Sequence, residues 1–105
     1  MRVCVMIQLG GTVSIDRIRE DVPRLLEIAK SASKGEFEQV FRSPSADLFG
    51  WFLQVPNDDL RFLRERFVGS TAFRNQDSIL VLELGPWFDG QGFSRAWTWL
   101  QRHRS

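Results

Sequence analysis

Three observations predict an α+β fold built on a four-stranded antiparallel sheet. The chain carries four short apolar runs of strand type and, between them, two runs whose apolar residues recur every three or four positions. The two middle strands are separated by only a Ser-Pro-Ser turn, which joins them as a hairpin. The resulting order is β-α-β-β-α-β. A chain of 105 residues supplies one hydrophobic core, so residues 1–105 are read as one domain, with the sheet and its helices in 1–85 and a turn and helix in 86–105.

Each element has its own justification. Val3, Val5, Ile7 and Leu9 alternate with Cys4, Met6 and Gln8, and both sets are largely apolar, the pattern of a central strand covered on both faces. Ile15, Ile18, Val22, Leu25, Leu26 and Ala29 form one helical stripe, with Ser14 placed as N-cap and Gly35 as the stop. Pro23 removes a backbone donor inside that stripe, so it predicts a kink there, or a second helix capped by Asp21. Phe37 to Arg42 and Asp47 to Val55 are the hairpin strands. Pro56-Asn57-Asp58-Asp59 then breaks the strand and offers capping oxygens to a short helix with the stripe Leu60, Leu63 and Phe67, ended by Gly69. After the polar loop Arg74-Asn75-Gln76-Asp77, Ile79 to Leu84 reads as a buried strand closed by Gly85-Pro86. Beyond Asp89-Gly90-Gln91-Gly92, the stripe Phe93, Ala96, Trp97 and Leu100 predicts a third helix, with Arg95, Arg102 and Arg104 in the tail. The order is that of the ferredoxin-like fold, in which both helices lie on one face of the sheet.

Composition removes several functions. With 14 basic and 13 acidic side chains the formal charge is +1, too balanced to call for nucleic acid. One cysteine, Cys4, and one histidine, His103, exclude a disulfide scaffold and a zinc cluster, and no cofactor motif is present. The apolar run near the start is shorter than a signal peptide core or a membrane span, and the expected location is cytoplasmic. Cys4 reads as a packing residue and His103 has no relay partner beside it. Gly10-Gly11-Thr12 reads as a tight turn because it lacks a phosphate-loop ending, and Asp58-Asp59 reads as a cap. No catalytic constellation emerges, so the reading leans away from an enzyme.

Two resemblances add to this. The Arg-rich second helix, Asn75-Gln76-Asp77-Ser78, the strand Ile79-Leu80-Val81-Leu82-Glu83-Leu84 and the tail Ala96-Trp97-Thr98-Trp99-Leu100 resemble the SinR-like and VapD-like relatives of the small CRISPR-associated adaptation nucleases. That resemblance implies a ferredoxin-like fold that pairs through sheet faces or edges. It also implies a metal-binding acid at the end of the first strand, where this chain has Ile7-Gln8-Leu9-Gly10; metal-dependent nuclease chemistry is therefore not expected. Leu48-Phe49-Gly50-Trp51-Phe52-Leu53 resembles the third-strand motif of RNA-recognition domains, with Phe49 and Trp51 on one face, but the first strand has no stacking aromatic.

Nine Phe and four Trp exceed what two helices on one face would cover, and Trp99 lies off the third helix's stripe. Twelve of the 14 basic residues are Arg, and Arg61 and Arg64, with Arg66, decorate the second helix. Exposed Trp beside Arg is the composition of a protein interface. The expectation is a non-catalytic protein-binding module, of the immunity or antitoxin type that inhibits a toxin or nuclease, or an assembly subunit. Its contact residues would be Trp99, Arg61, Arg64, Arg95, Phe49 and Trp51, homodimerisation is a separate expectation, and no membrane is involved. The alternative is nucleic-acid binding, with Phe49 and Trp51 as stacking surfaces and the helix-two arginines on phosphates.

Overall fold

A computed structural model describes residues 1–56 and 58–103; Asn57 of the proposed cap segment and Arg104 of the basic tail lie outside the described residues. The chain forms β1 (Arg2–Gln8), α1 (Ile15–Ser33), β2 (Phe37–Arg42), β3 (Leu48–Gln54), α2 (Leu60–Val68), β4 (Ser78–Glu83) and α3 (Ser94–Arg102). The sheet has the order β2-β3-β1-β4 with every pairing antiparallel, which is the ferredoxin-like arrangement.

The helix ends follow the capping signals. Ser14 Oγ accepts the Arg17 backbone N–H at 3.1 Å and starts α1. Lys34 and Gly35 both take positive φ, and their amides bond back to Lys30 and Ser31 carbonyls to close it. One helix runs through Pro23, and Asp21 caps nothing: its carboxylate lies buried inside the fold. Asp59 caps α2 by accepting the Arg61 and Phe62 amides at 3.0 and 3.3 Å, and Gly69 ends it.

Strand alternation sorts side chains between two faces. Val3, Val5 and Ile7 of β1, with Phe49, Trp51 and Leu53 of β3, face α1 and α2 and bury themselves among Leu25, Ala29, Leu63 and Phe67. Trp51 stacks on Phe67 with ring centroids 6.1 Å apart. Arg2, Cys4 and Met6 of β1, Phe52 of β3, and Leu80 and Leu82 of β4 point to the opposite face, since Cys4 pairs with both Phe52 and Leu82, and Met6 with Leu80. A bulge between Gln39 and Phe41 re-phases β2, turning Phe41 onto this second face opposite Gly50. Gly50 is required there, because a Cβ would lie 2.3 Å from the Phe41 ring.

The second face corrects two expectations. Trp99 is only 3% exposed: it packs on Phe52, with ring centroids 5.6 Å apart, and stacks with His103. α3 begins at Ser94, after Phe93 in the left-handed region, so its buried stripe is Ala96, Trp99 and Leu100, and Phe93 stands exposed. Both stripes satisfy three-and-four spacing, and the packing of Trp99 on Phe52 shows which one faces the sheet. Phe49 and Trp51 do share a face, but it is the one closed by α1 and α2, so neither offers a surface to a base or a protein. Among the described residues no helix is long and apolar enough to cross a membrane.

Candidate functional site

α3 covers the β2 side of the second face and leaves the β4 side open. Leu80 and Leu82 are 51% and 45% exposed, and Leu84 continues their row. Gly85-Pro86 then turns the chain out of the sheet and carries Trp87, 92% exposed, and Phe88, which lies 5.3 Å from Trp97 of α3 between ring centroids. Between this segment, α3 and the sheet is a cavity of about 330 Å³, walled chiefly by Phe41, Phe52, Leu84, Trp87, Phe88 and Trp97. Asp89 is the one charged side chain on that wall among the described residues.

Arg2 is buried next to Gly85 and is not part of the cavity's lining. It occupies the second face at the start of β1, 2% exposed, and its Nη2 donates to the Gly85 carbonyl at 2.6 Å. Its Nε and Nη1 are buried with no hydrogen-bond partner. Cys4, next on the same face, is also buried, which pushes its thiol up to about 11 and makes it a poor nucleophile at neutral pH.

A second group of buried charge lies at the opposite end of the sheet. Arg17 donates through both terminal nitrogens to Asp77, at 2.8 and 2.5 Å, and through Nε to Asp21 at 3.0 Å. Asp77 also accepts the Gly10 and Arg74 amides, and the Arg74 guanidinium lies 3.2 Å from Asp21. Burial works to raise the Asp77 carboxyl, but these donors outweigh it and hold the group below the usual carboxylate range. Asp77 and Asp21 in turn raise Arg17. The Gly10 turn is fixed by the same contacts, since a Cβ on Gly10 would collide with the Gln76 backbone. This cluster ties the loop after β1 to the loop before β4, and every carboxylate in it is occupied by cations of the same chain.

The expected contact residues are scattered. Arg61 and Arg64 lie on the solvent side of α2, where Arg64 approaches Glu65 at 3.9 Å, and Arg95 on α3 approaches Glu38 at 3.9 Å. Trp99, Phe49 and Trp51 are interior. The structure thus joins none of the arginines to an exposed Trp; the large apolar side chains it leaves exposed include Leu80 and Leu82 on β4, and Trp87 and Phe93 on the cavity wall, contrary to the expectation that Ile79 to Leu84 is a buried strand and that Phe93 lies on a packed stripe. The signal available for Trp87 was its position just past Gly85-Pro86, outside any periodic run; for Arg2 it was its phase with Cys4 and Met6. Among the described residues no three His, Cys, Asp or Glu side chains are arranged to hold a metal ion. No family model, curated protein or solved structure matches the chain.

Proposed function

We propose that the chain is a non-catalytic protein-binding module that engages its partner through the open half of the second sheet face. The observation that carries this reading is the exposed pair Leu80 and Leu82 on the β4 side of the face, with Trp87 and Phe93 exposed on the wall of the cavity beside α3. A patch of large apolar side chains at a sheet edge is costly to leave in water and is the usual mark of an interaction surface. The inhibitor, antitoxin and assembly-subunit roles belong to this reading, as does pairing of two copies through the same face. The likeness to SinR-like and VapD-like proteins is compatible with it, because this chain has Gln8 and Leu9 where those nucleases hold metal.

The test is sedimentation of the purified chain over a wide concentration range, followed by cross-linking in its native host, for the wild type, Leu82→Glu and the pair Arg61→Glu with Arg64→Glu. The reading expects self-association or a cross-linked protein that Leu82→Glu abolishes and the α2 pair leaves intact. Cross-links to nucleic acid that the α2 pair abolishes and Leu82→Glu spares would replace it with the nucleic-acid alternative.

A further inference from the structure

The cavity beside α3 is walled by aromatic rings from three directions. Phe41 and Phe52 stand on the sheet, Trp87 and Phe88 on the segment after Gly85-Pro86, and Phe93 and Trp97 at the start of α3. Its volume of about 330 Å³ is within the range of small-ligand sites. The Phe88 and Trp97 planes are inclined by 57°, so this pair forms a corner rather than a stack. A Cβ built on Gly90 would lie 3.6 Å from Trp97 Cζ2, which sets the turn carrying Asp89 against the indole. Rings that serve packing alone are closed over, whereas Trp87 and Phe93 remain 92% and 62% exposed around this space.

The charge on this wall has one sign. Asp89 is its single charged side chain, and none of the described basic residues lines the cavity. Asp89 accepts the Gly90 amide at 2.8 Å through Oδ1, and no Lys, Arg or His comes within ion-pair distance of it among the described residues. In the Arg17 cluster, by contrast, both carboxylates are held by arginines. A carboxylate or phosphate placed in the cavity finds one like charge and no counter-charge. A cation finds the opposite: the faces of indole and phenyl rings attract it, most strongly where water is displaced, and Asp89 supplies the counter-charge. The form of the cation follows from the scarcity of acceptors. A primary ammonium brings three donors, and the side chains of the wall offer only Asp89 and Gln91 to receive them. A quaternary ammonium spreads its charge over methyl groups and has no N–H to satisfy.

We propose that this cavity binds a quaternary ammonium ion on a small organic body, its methyl groups among the rings and its charge balanced by Asp89. The proposal stands on the rings and Asp89, independently of the protein-binding reading. Leu82, whose substitution tests that reading, is not on the wall, so the two can fail separately.

The experiment is calorimetric titration of the purified chain, with tryptophan emission as a second readout because Trp87 and Trp97 line the cavity. Each probe is compared with the neutral molecule of the same shape in which carbon replaces nitrogen. The pairs are choline against 3,3-dimethylbutanol and para-hydroxyphenyl trimethylammonium against para-tert-butylphenol. At least one ammonium should bind one to one and about fivefold or more tighter than its neutral counterpart, the margin of a cation–π contact. Which ammonium binds tighter separates an aliphatic body from an aromatic one. The double variant Asp89→Asn with Trp87→Leu removes the counter-charge and one ring while keeping polar and apolar surface in place. Both positions are exposed, so the fold is retained. It should cut the preference by about threefold or more. Failure of both ammonium ions to bind, a wild-type preference below about fivefold, or a smaller cut in the double variant each overturns the proposal.

Discussion

Arg17 and Arg2 are buried to nearly the same degree, 6% and 2% exposed, and are treated in opposite ways. Arg17 spends its donors on Asp77, Asp21 and the Ala72 carbonyl, all parts of its own chain. Arg2 finds the Gly85 carbonyl alone. Burial by itself therefore does not say what a charge is for. A cation whose acceptors come from distant parts of the chain holds those parts together, whereas one with a single acceptor ties down only that carbonyl and leaves part of its burial cost uncompensated.

The sharpest way to break this contrast is at Asp77. Asp77→Ala removes the carboxylate that receives two Arg17 nitrogens and the Gly10 and Arg74 amides, and so leaves a buried cation half-paired and two loops untied. The expected loss is about 3–5 kcal/mol in urea unfolding, the range for breaking one side of a buried pair. A loss under about 1 kcal/mol would mean that the cluster does not clamp the loops. Acid should reproduce part of the effect. Because the folded state holds Asp77 below its ordinary value, its contribution is complete above about pH 4 and is lost as pH falls through the depressed value. Asp77→Asn should flatten that part of the stability profile.

How far the two arginines were legible in the sequence follows from the range of their contacts. Asp21 is four residues from Arg17 on one helix, a pairing that spacing alone exposes. Asp77 is 60 residues away and becomes a partner only when β1 and β4 pair. The same division runs through the fold. Ser14 and Asp59 as caps, the hairpin and the strand phases are local and were readable. The bulge that turns Phe41 over Gly50 was not, nor was the docking of Trp99 on Phe52, 47 residues away, which puts Trp99 inside while Phe93 stays exposed. Phe49 and Trp51 illustrate the limit: alternation places them on one face, and only the packing of α1 and α2 shows that the face is closed.

Arg2→Met sharpens the contrast from the other side, with a smaller effect of opposite sign. Replacing the half-satisfied guanidinium by an apolar side chain of similar length removes two unmet donors and sacrifices one hydrogen bond, whose acceptor, the carbonyl of the exposed residue Gly85, is free to turn to water. Thermal and urea unfolding should show stability unchanged or raised, by up to about 4 kcal/mol. A loss comparable to that of Asp77→Ala would place Arg2 in the same structural class as Arg17.

The smallest effect is expected at Trp87. It lies on the wall of the cavity beside α3 yet is 92% exposed, so truncation removes almost no buried surface. Trp87→Ala should change unfolding free energy by no more than about 0.5 kcal/mol, as for most exposed sites. The value of this near-silence lies in the comparison with Asp77, which is as much a surface-loop residue in sequence terms and carries several kcal/mol. An exposed aromatic that receives another molecule contributes to binding and not to folding. A destabilisation above about 1 kcal/mol would mean that Trp87 closes over the sheet in solution, and the open half-face, with the binding roles built on it, would have to be given up.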